Sequence, residues 1–188
     1  MTTRWDTFFD SSEKEDGASS QLIAKFQRTA LQPLSTKEVA AVMASQQNPF
    51  PKNDPLHSAY KPFDARKWEI PTFAFPKSYL SFLEWSNGGT FTKGGREFGF
   101  FPVNDARCGV RAMMLAYHIP EYMNQAVPFA FDGAGTFYLF DMREPPLDDE
   151  FPIVMAHAGS LGWDEDDYQT IAESFVAALE YEQRRTKP

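Results

Sequence analysis

Cys108 is the only thiol in the 188-residue chain, and its three histidines are His57, His118 and His157. A thiol beside an imidazole would make a nucleophile pair. Cys108 falls early in a predicted helix, where the helix dipole would lower its pKa. A lone cysteine is nonetheless more often a small buried hydrophobe. The histidines are far apart and form no HxxxH or HExxH pair, so their spacing does not indicate zinc. His157 ends an apolar stretch and reads as a hydrogen-bonded core histidine. Ser174 lies in Glu-Ser-Phe without the Gly-x-Ser-x-Gly elbow of a serine hydrolase, so a packing or local hydrogen-bonding role is the better reading. Gly133-Ala134-Gly135 follows a predicted strand but precedes another strand, leaving no helix N-terminus to hold a pyrophosphate. Gly94-Gly95 lacks the Lys-Ser/Thr context of a phosphate loop. No catalytic residue, metal or cofactor is expected from these patterns.

The charge pattern says more. Glu144, Asp148, Asp149, Glu150, Asp164, Glu165, Asp166 and Asp167 follow one another with no Lys or Arg between them, and these eight carboxylates match the whole net charge of −8. Asp164 to Asp167 could ligate a hard cation, but they lack the alternate acids, central glycine and distal glutamate of an EF-hand loop. A local acidic field repels phosphate backbones and attracts basic proteins. The plainer reading is that acidic loops keep the protein soluble. Trp85 and Trp163 could be interface anchors, and Trp163, in the glycine-flanked acidic loop, is the better candidate. Packing over a sheet edge would explain either equally well.

These side chains need a scaffold. With 43% hydrophobic and 15% aromatic residues, the chain can bury a sizeable core. A single cysteine excludes an internal disulfide and suits a reducing compartment. Met1 to Asp16 shows no basic patch followed by an apolar run, and no apolar stretch approaches the roughly 20 residues of a membrane span. The expectation is a cytoplasmic protein with no membrane or nucleic-acid partner.

Residues 1–70 read as an N-terminal extension, either part of the same globular unit or a docking arm. Ser35 and Glu38 form a capping box that opens a helix over Thr36 to Ser45. Prolines 49, 51, 55 and 62 break the next segment into a loop. Pro76 opens a helix with an apolar stripe of Tyr79, Leu80, Phe82 and Leu83, stopped by a left-handed residue at Asn87-Gly88-Gly89. A hairpin turns at Lys93-Gly94-Gly95-Arg96. Asn104 or Asp105 caps a helix that Pro120 closes. Val127, Phe129 and Phe131 alternate along one strand, Asp132 to Gly135 links it to the Phe137–Asp141 strand, and Ile153 to Ala156 make a central third. Asp164 to Asp167 then lie beside the N-terminus of the last helix, with Ala172, Phe175, Val176 and Leu179 inward and residues 183–187 at its basic end. The class is α+β: a mainly antiparallel central sheet with helices packed on one face.

Taken in order, Pro76, Tyr79, Phe82, Leu83, Asn87, Gly88 and Gly89, then Pro128, Phe129, Asp132, Gly133, Gly135, Tyr138 and Pro152, then Ser174, Phe175 and Leu179 resemble the SUKH superfamily. This is the family of Smi/Knr-type fungal cell-wall-assembly regulators. The resemblance covers roughly Pro71 to Glu180 and makes residues 71–188 a SUKH-like domain. It implies a non-catalytic α+β module used for protein binding. In bacteria such domains resemble immunity proteins against polymorphic toxins; in fungi they resemble regulatory scaffolds. A basic toxin domain is the expected partner, met by the eight acids and Trp163. A regulatory scaffold is the alternative, and a small hydrolase or transferase using Cys108 or Ser174 the more remote one.

Overall fold

The computed structural model describes residues 3–181. Seven strands form one antiparallel sheet in chain order: β1 (Ser11–Lys14), β2 (Gly89–Lys93), β3 (Arg96–Phe100), β4 (Ala126–Phe131), β5 (Thr136–Asp141), β6 (Ile153–His157) and β7 (Tyr168–Ala172). Six helices accompany it: α1 (Ser20–Thr29), α2 (Thr36–Ser45), α3 (Lys77–Trp85), α4 (Val110–Ala116), α5 (Ile119–Tyr122) and α6 (Phe175–Glu180). The α+β class with an antiparallel sheet is borne out. Among the described residues no helix is long and apolar enough to cross a membrane.

The core is aromatic. Phe82 of α3 lies 4.2 Å from Phe100, Tyr79 lies 5.2 Å from Phe140, and Phe175 of α6 lies 5.3 Å from Phe129 (ring centroids throughout). Aromatic pairs of this kind add about 0.5–1.5 kcal/mol each beyond their area burial. Leu83, Phe129 and Phe175 are fully buried in this one cluster. Thus α3 and α6 give the expected cover on one face. Helices α4 and α5 add cover to the other, where Tyr117, just past α4, meets Phe137 at 4.7 Å.

Several local expectations hold. The Ser35–Glu38 capping box is present in both directions and opens α2. Arg111 binds the same carboxylate, with Nε 2.6 Å from Glu38 Oε1. That hydrogen bond holds the Glu38 carboxyl at about 2, well below its usual value of 4.5. Gly94 and Gly95 turn β2 into β3 with φ of +58° and +76°, and Phe91 pairs with Phe98 across the hairpin.

Others are corrected. Helix α3 stops one step earlier than a left-handed cap would place it. Ser86 is extended at φ −147°, and its buried hydroxyl donates to Gly88 O at 2.8 Å. Gly88 and Gly89, at φ +101° and +102°, steer the chain into β2. A Cβ on Gly89 would sit 2.5 Å from Glu13 O of β1. Asp105 does not cap α4: its Oδ1 accepts from Arg107 N at 2.6 Å and Cys108 N at 3.0 Å, one turn before the helix. Pro120 does not close α4 but lies at the start of α5, after His118 turns the chain at φ +53°. In β4 a bulge between Pro128 and Ala130 absorbs the proline's missing donor. It puts Phe129 on the α3/α6 face while Phe131 meets Phe137, 4.9 Å away, on the other.

The largest correction concerns the acidic run. Asp164 to Asp167 do not adjoin the last helix, because Tyr168–Ala172 intervene as β7 and pair with β6. Ala172 accordingly belongs to the strand. Helix α6 begins at Phe175 with Ser174 Oγ accepting from Ala177 N. It buries Phe175, Ala178 and Leu179, with Val176 half-buried. Its expected basic end, residues 183–187, lies outside the described residues. Strand β6, expected to be central, sits one strand in from the β7 edge.

Parts of the N-terminal segment touch this core and sheet. Trp5 is buried, with its ring 5.4 Å from Phe82 and 6.1 Å from Phe175. β1 runs along β2, and Phe26 of α1 stacks on Phe75 at 4.6 Å.

Candidate partner-binding surface

The eight acids are divided between two loops with different bonding. In the β5–β6 loop, Leu147 and Glu150 bridge across a two-residue turn, with Asp148 and Asp149 at φ +52° and +64°. Such a turn needs residues that tolerate positive φ, and Asp is among the few besides glycine that do. Asp149 pairs with Lys77 at the start of α3. Glu150 Oε2 accepts from Phe175 N at 3.0 Å and so caps α6 from outside its own sequence. Glu150 is therefore half-buried and committed to the fold, as Asp149 is in part.

The β6–β7 loop is built around Trp163. Its Nε1 donates to Asn124 O at 3.0 Å, and its ring meets Tyr168 edge-on at 5.0 Å. Arg143 stacks on the indole, its guanidinium carbon 3.6 Å from the ring centroid. That guanidinium is fixed by a fork on Asp141, at 2.9 Å from Nε and 2.7 Å from Nη2. The hydrogen bonds to Asp141 push the Arg143 pKa above its ordinary value. Arg143 is a residue the sequence reading missed. The signal was available as an acid and an arginine two apart at a strand end. Trp163 is thus clamped half-buried, with Asp164 to Asp167 beside it.

Glu144, Asp148, Asp164, Glu165 and Asp166 are exposed and make no ion pair or side-chain hydrogen bond among the described residues. Asp167 is half-buried, its carboxylate folded over Gly162, where a Cβ would come within 2.1 Å of Oδ2. The structure therefore does not gather all eight acids into one strip. Leu147, 80% exposed at the base of its turn, is a further surface residue the sequence reading did not single out. Trp85, the other tryptophan considered, packs at the sheet edge, with Nε1 donating to Asp6 Oδ1 at 2.7 Å.

Cys108 is exposed rather than a buried hydrophobe. It precedes α4, and partial burial together with the Asp105 carboxylate raises its pKa, the reverse of a helix-dipole effect. His57 lies against Phe50 O at 2.7 Å, His118 meets Phe63 at 4.8 Å, and none of the three imidazoles hydrogen-bonds Cys108 among the described residues. His157 is exposed and accepts from Gly159 N at 3.1 Å, so it is not a core histidine. Among the described residues no three His, Cys, Asp or Glu side chains converge in a way that could hold a metal ion.

Comparison with curated proteins gives no match. The SMI1 / KNR4 family (SUKH-1) matches residues 69–180, from just before α3 to the end of α6, more than half of the chain. On that match, the chain belongs to the SMI1 / KNR4 family (SUKH-1).

Proposed function

We propose that the chain is a protein-binding module of the bacterial immunity type, acting in the cytoplasm by covering a basic toxin domain. One observation carries the reading: Asp164, Glu165 and Asp166 stand exposed and, among the described residues, unpaired beside a tryptophan that is itself held in place by Asn124 and Arg143. Unpaired carboxylates contribute little to the fold, since even well-formed surface ion pairs give only about 0–1 kcal/mol. Their value lies in encounter. A patch of one sign raises association rates by about 10 to 10³-fold at low salt, and that gain shrinks as the Debye length falls. Family membership supports the reading, because such domains are often immunity proteins. Arg143 supplies a fixed cation at the edge of the patch, which sets an orientation for the incoming surface.

The test is stopped-flow association with the toxin domain encoded beside the gene, across a salt series. A rate that falls steeply with salt supports the reading. A rate indifferent to salt removes it.

A further inference from the structure

The half of the sheet away from Trp163 carries a second feature. An open trough of about 330 Å³ lies over Gly99, the next-to-last residue of β3, on the face opposite α3 and α6. Thr90 and Gly99, paired across β2 and β3, form its floor, and Phe101, Pro102 and Phe131 line it. Gly99 leaves the trough open, because any side chain there would project into it from a Cβ 3.2 Å from Phe131 O. At one end stand two carboxylates, Glu97 and Asp132.

Those carboxylates have no cationic partner among the described residues. Glu97 is exposed, with Oε2 about a van der Waals contact from where a Cβ on Gly133 would lie, at 4.0 Å. Asp132 Oδ1 accepts from Ala134 N and from Thr136 N, both at 2.8 Å, which orders the turn. Partial burial opposes its ionisation, but the backbone donors outweigh it and hold the carboxyl below the usual range. An apolar slot with two anions at its end matches one kind of side chain: a straight aliphatic stem that ends in a cation.

We propose that this trough receives a lysine side chain of the partner protein, with its methylenes over Gly99 between Phe101 and Phe131 and its ammonium between Glu97 and Asp132. The proposal rests on the reading of a basic protein partner and gives that partner a residue-level contact. The β6–β7 loop leaves the sheet from the same end as the Asp132 turn, since Thr136 pairs with His157 there, and it then carries Trp163 to Asn124 and Arg143 at the opposite end.

The experiment uses the full chain, isotopically labelled, titrated with Nα-acetyl-lysine methylamide and, in parallel, with Nα-acetyl-norleucine methylamide. The lysine probe is expected to shift the Gly99, Phe131 and Gly133 amides and to bind at least about threefold more tightly than its uncharged counterpart. Gly99→Val fills the slot and abolishes those shifts. Glu97→Gln, a surface change that leaves the backbone alone, weakens the lysine probe about threefold and leaves the norleucine probe unchanged. Equal binding of the two probes would overturn the proposal, as would shifts confined to residues 164–167 or indifference to Glu97→Gln. No partner is needed, so a failed trough leaves salt-dependent association standing. Salt-independent association refutes the immunity reading whatever the trough binds.

Discussion

The turn at Leu147–Glu150 and the loop at Asp164–Asp167 are alike in composition and opposite in use. Glu150 reaches across to the first N–H of α6, and Asp149 reaches Lys77 at the start of α3, so that turn pins two core helices to the sheet. Asp164, Glu165 and Asp166 make no side-chain hydrogen bond or ion pair among the described residues. Adding the eight charges together hides this division. A carboxylate that satisfies a helix-end donor belongs to stability, and one facing water with no partner belongs to recognition.

The sharpest way to break the contrast is Glu150→Ala. It removes a charged acceptor from the N-terminus of α6 and is expected to lower unfolding free energy by about 1–2 kcal/mol in urea melts. Asp149→Asn in the same turn should cost under about 0.5 kcal/mol, because its partner Lys77 is 84% exposed. Equal losses would mean that the turn acts by charge alone rather than through the cap. Arg143→Ala comes next. Loss of the stacked guanidinium is expected to cost about 1 kcal/mol and to shift Trp163 emission toward the red as the indole meets more water. Unchanged emission would show that Asn124 and Tyr168 suffice to hold the ring. Least of all should come from Asp164, Glu165 and Asp166 changed together to Lys, which should move stability by no more than about 0.5 kcal/mol in thermal melts.

Much of this was legible beforehand because its causes are local. Ser35 and Glu38 opened α2 where the capping box put it, and Gly94-Gly95 turned the hairpin where two positive φ values were needed. The buried stripe of α3 could be read from Tyr79, Phe82 and Leu83. What could not be read depended on distant partners. Tyr168–Ala172 is a strand because β6 offers it an edge, so four acids that resembled a helix start became the turn before a strand. The bulge at Pro128 answers to the β5 register, and the burial of Trp5 to Phe82, far along the chain. The candidate surface was half legible. The acids were visible, but their division was not, because Lys77 and the Phe175 N–H lie in other segments.

The most direct test sets two single neutralisations side by side against the basic toxin domain at low salt: Asp164→Asn, an exposed acid with no partner among the described residues, and Asp149→Asn, whose carboxylate is paired with Lys77. If unpaired charge is what the partner meets, the first slows association by about twofold or more and the second by far less. Equal slowing by both, or none by the first, would contradict the account.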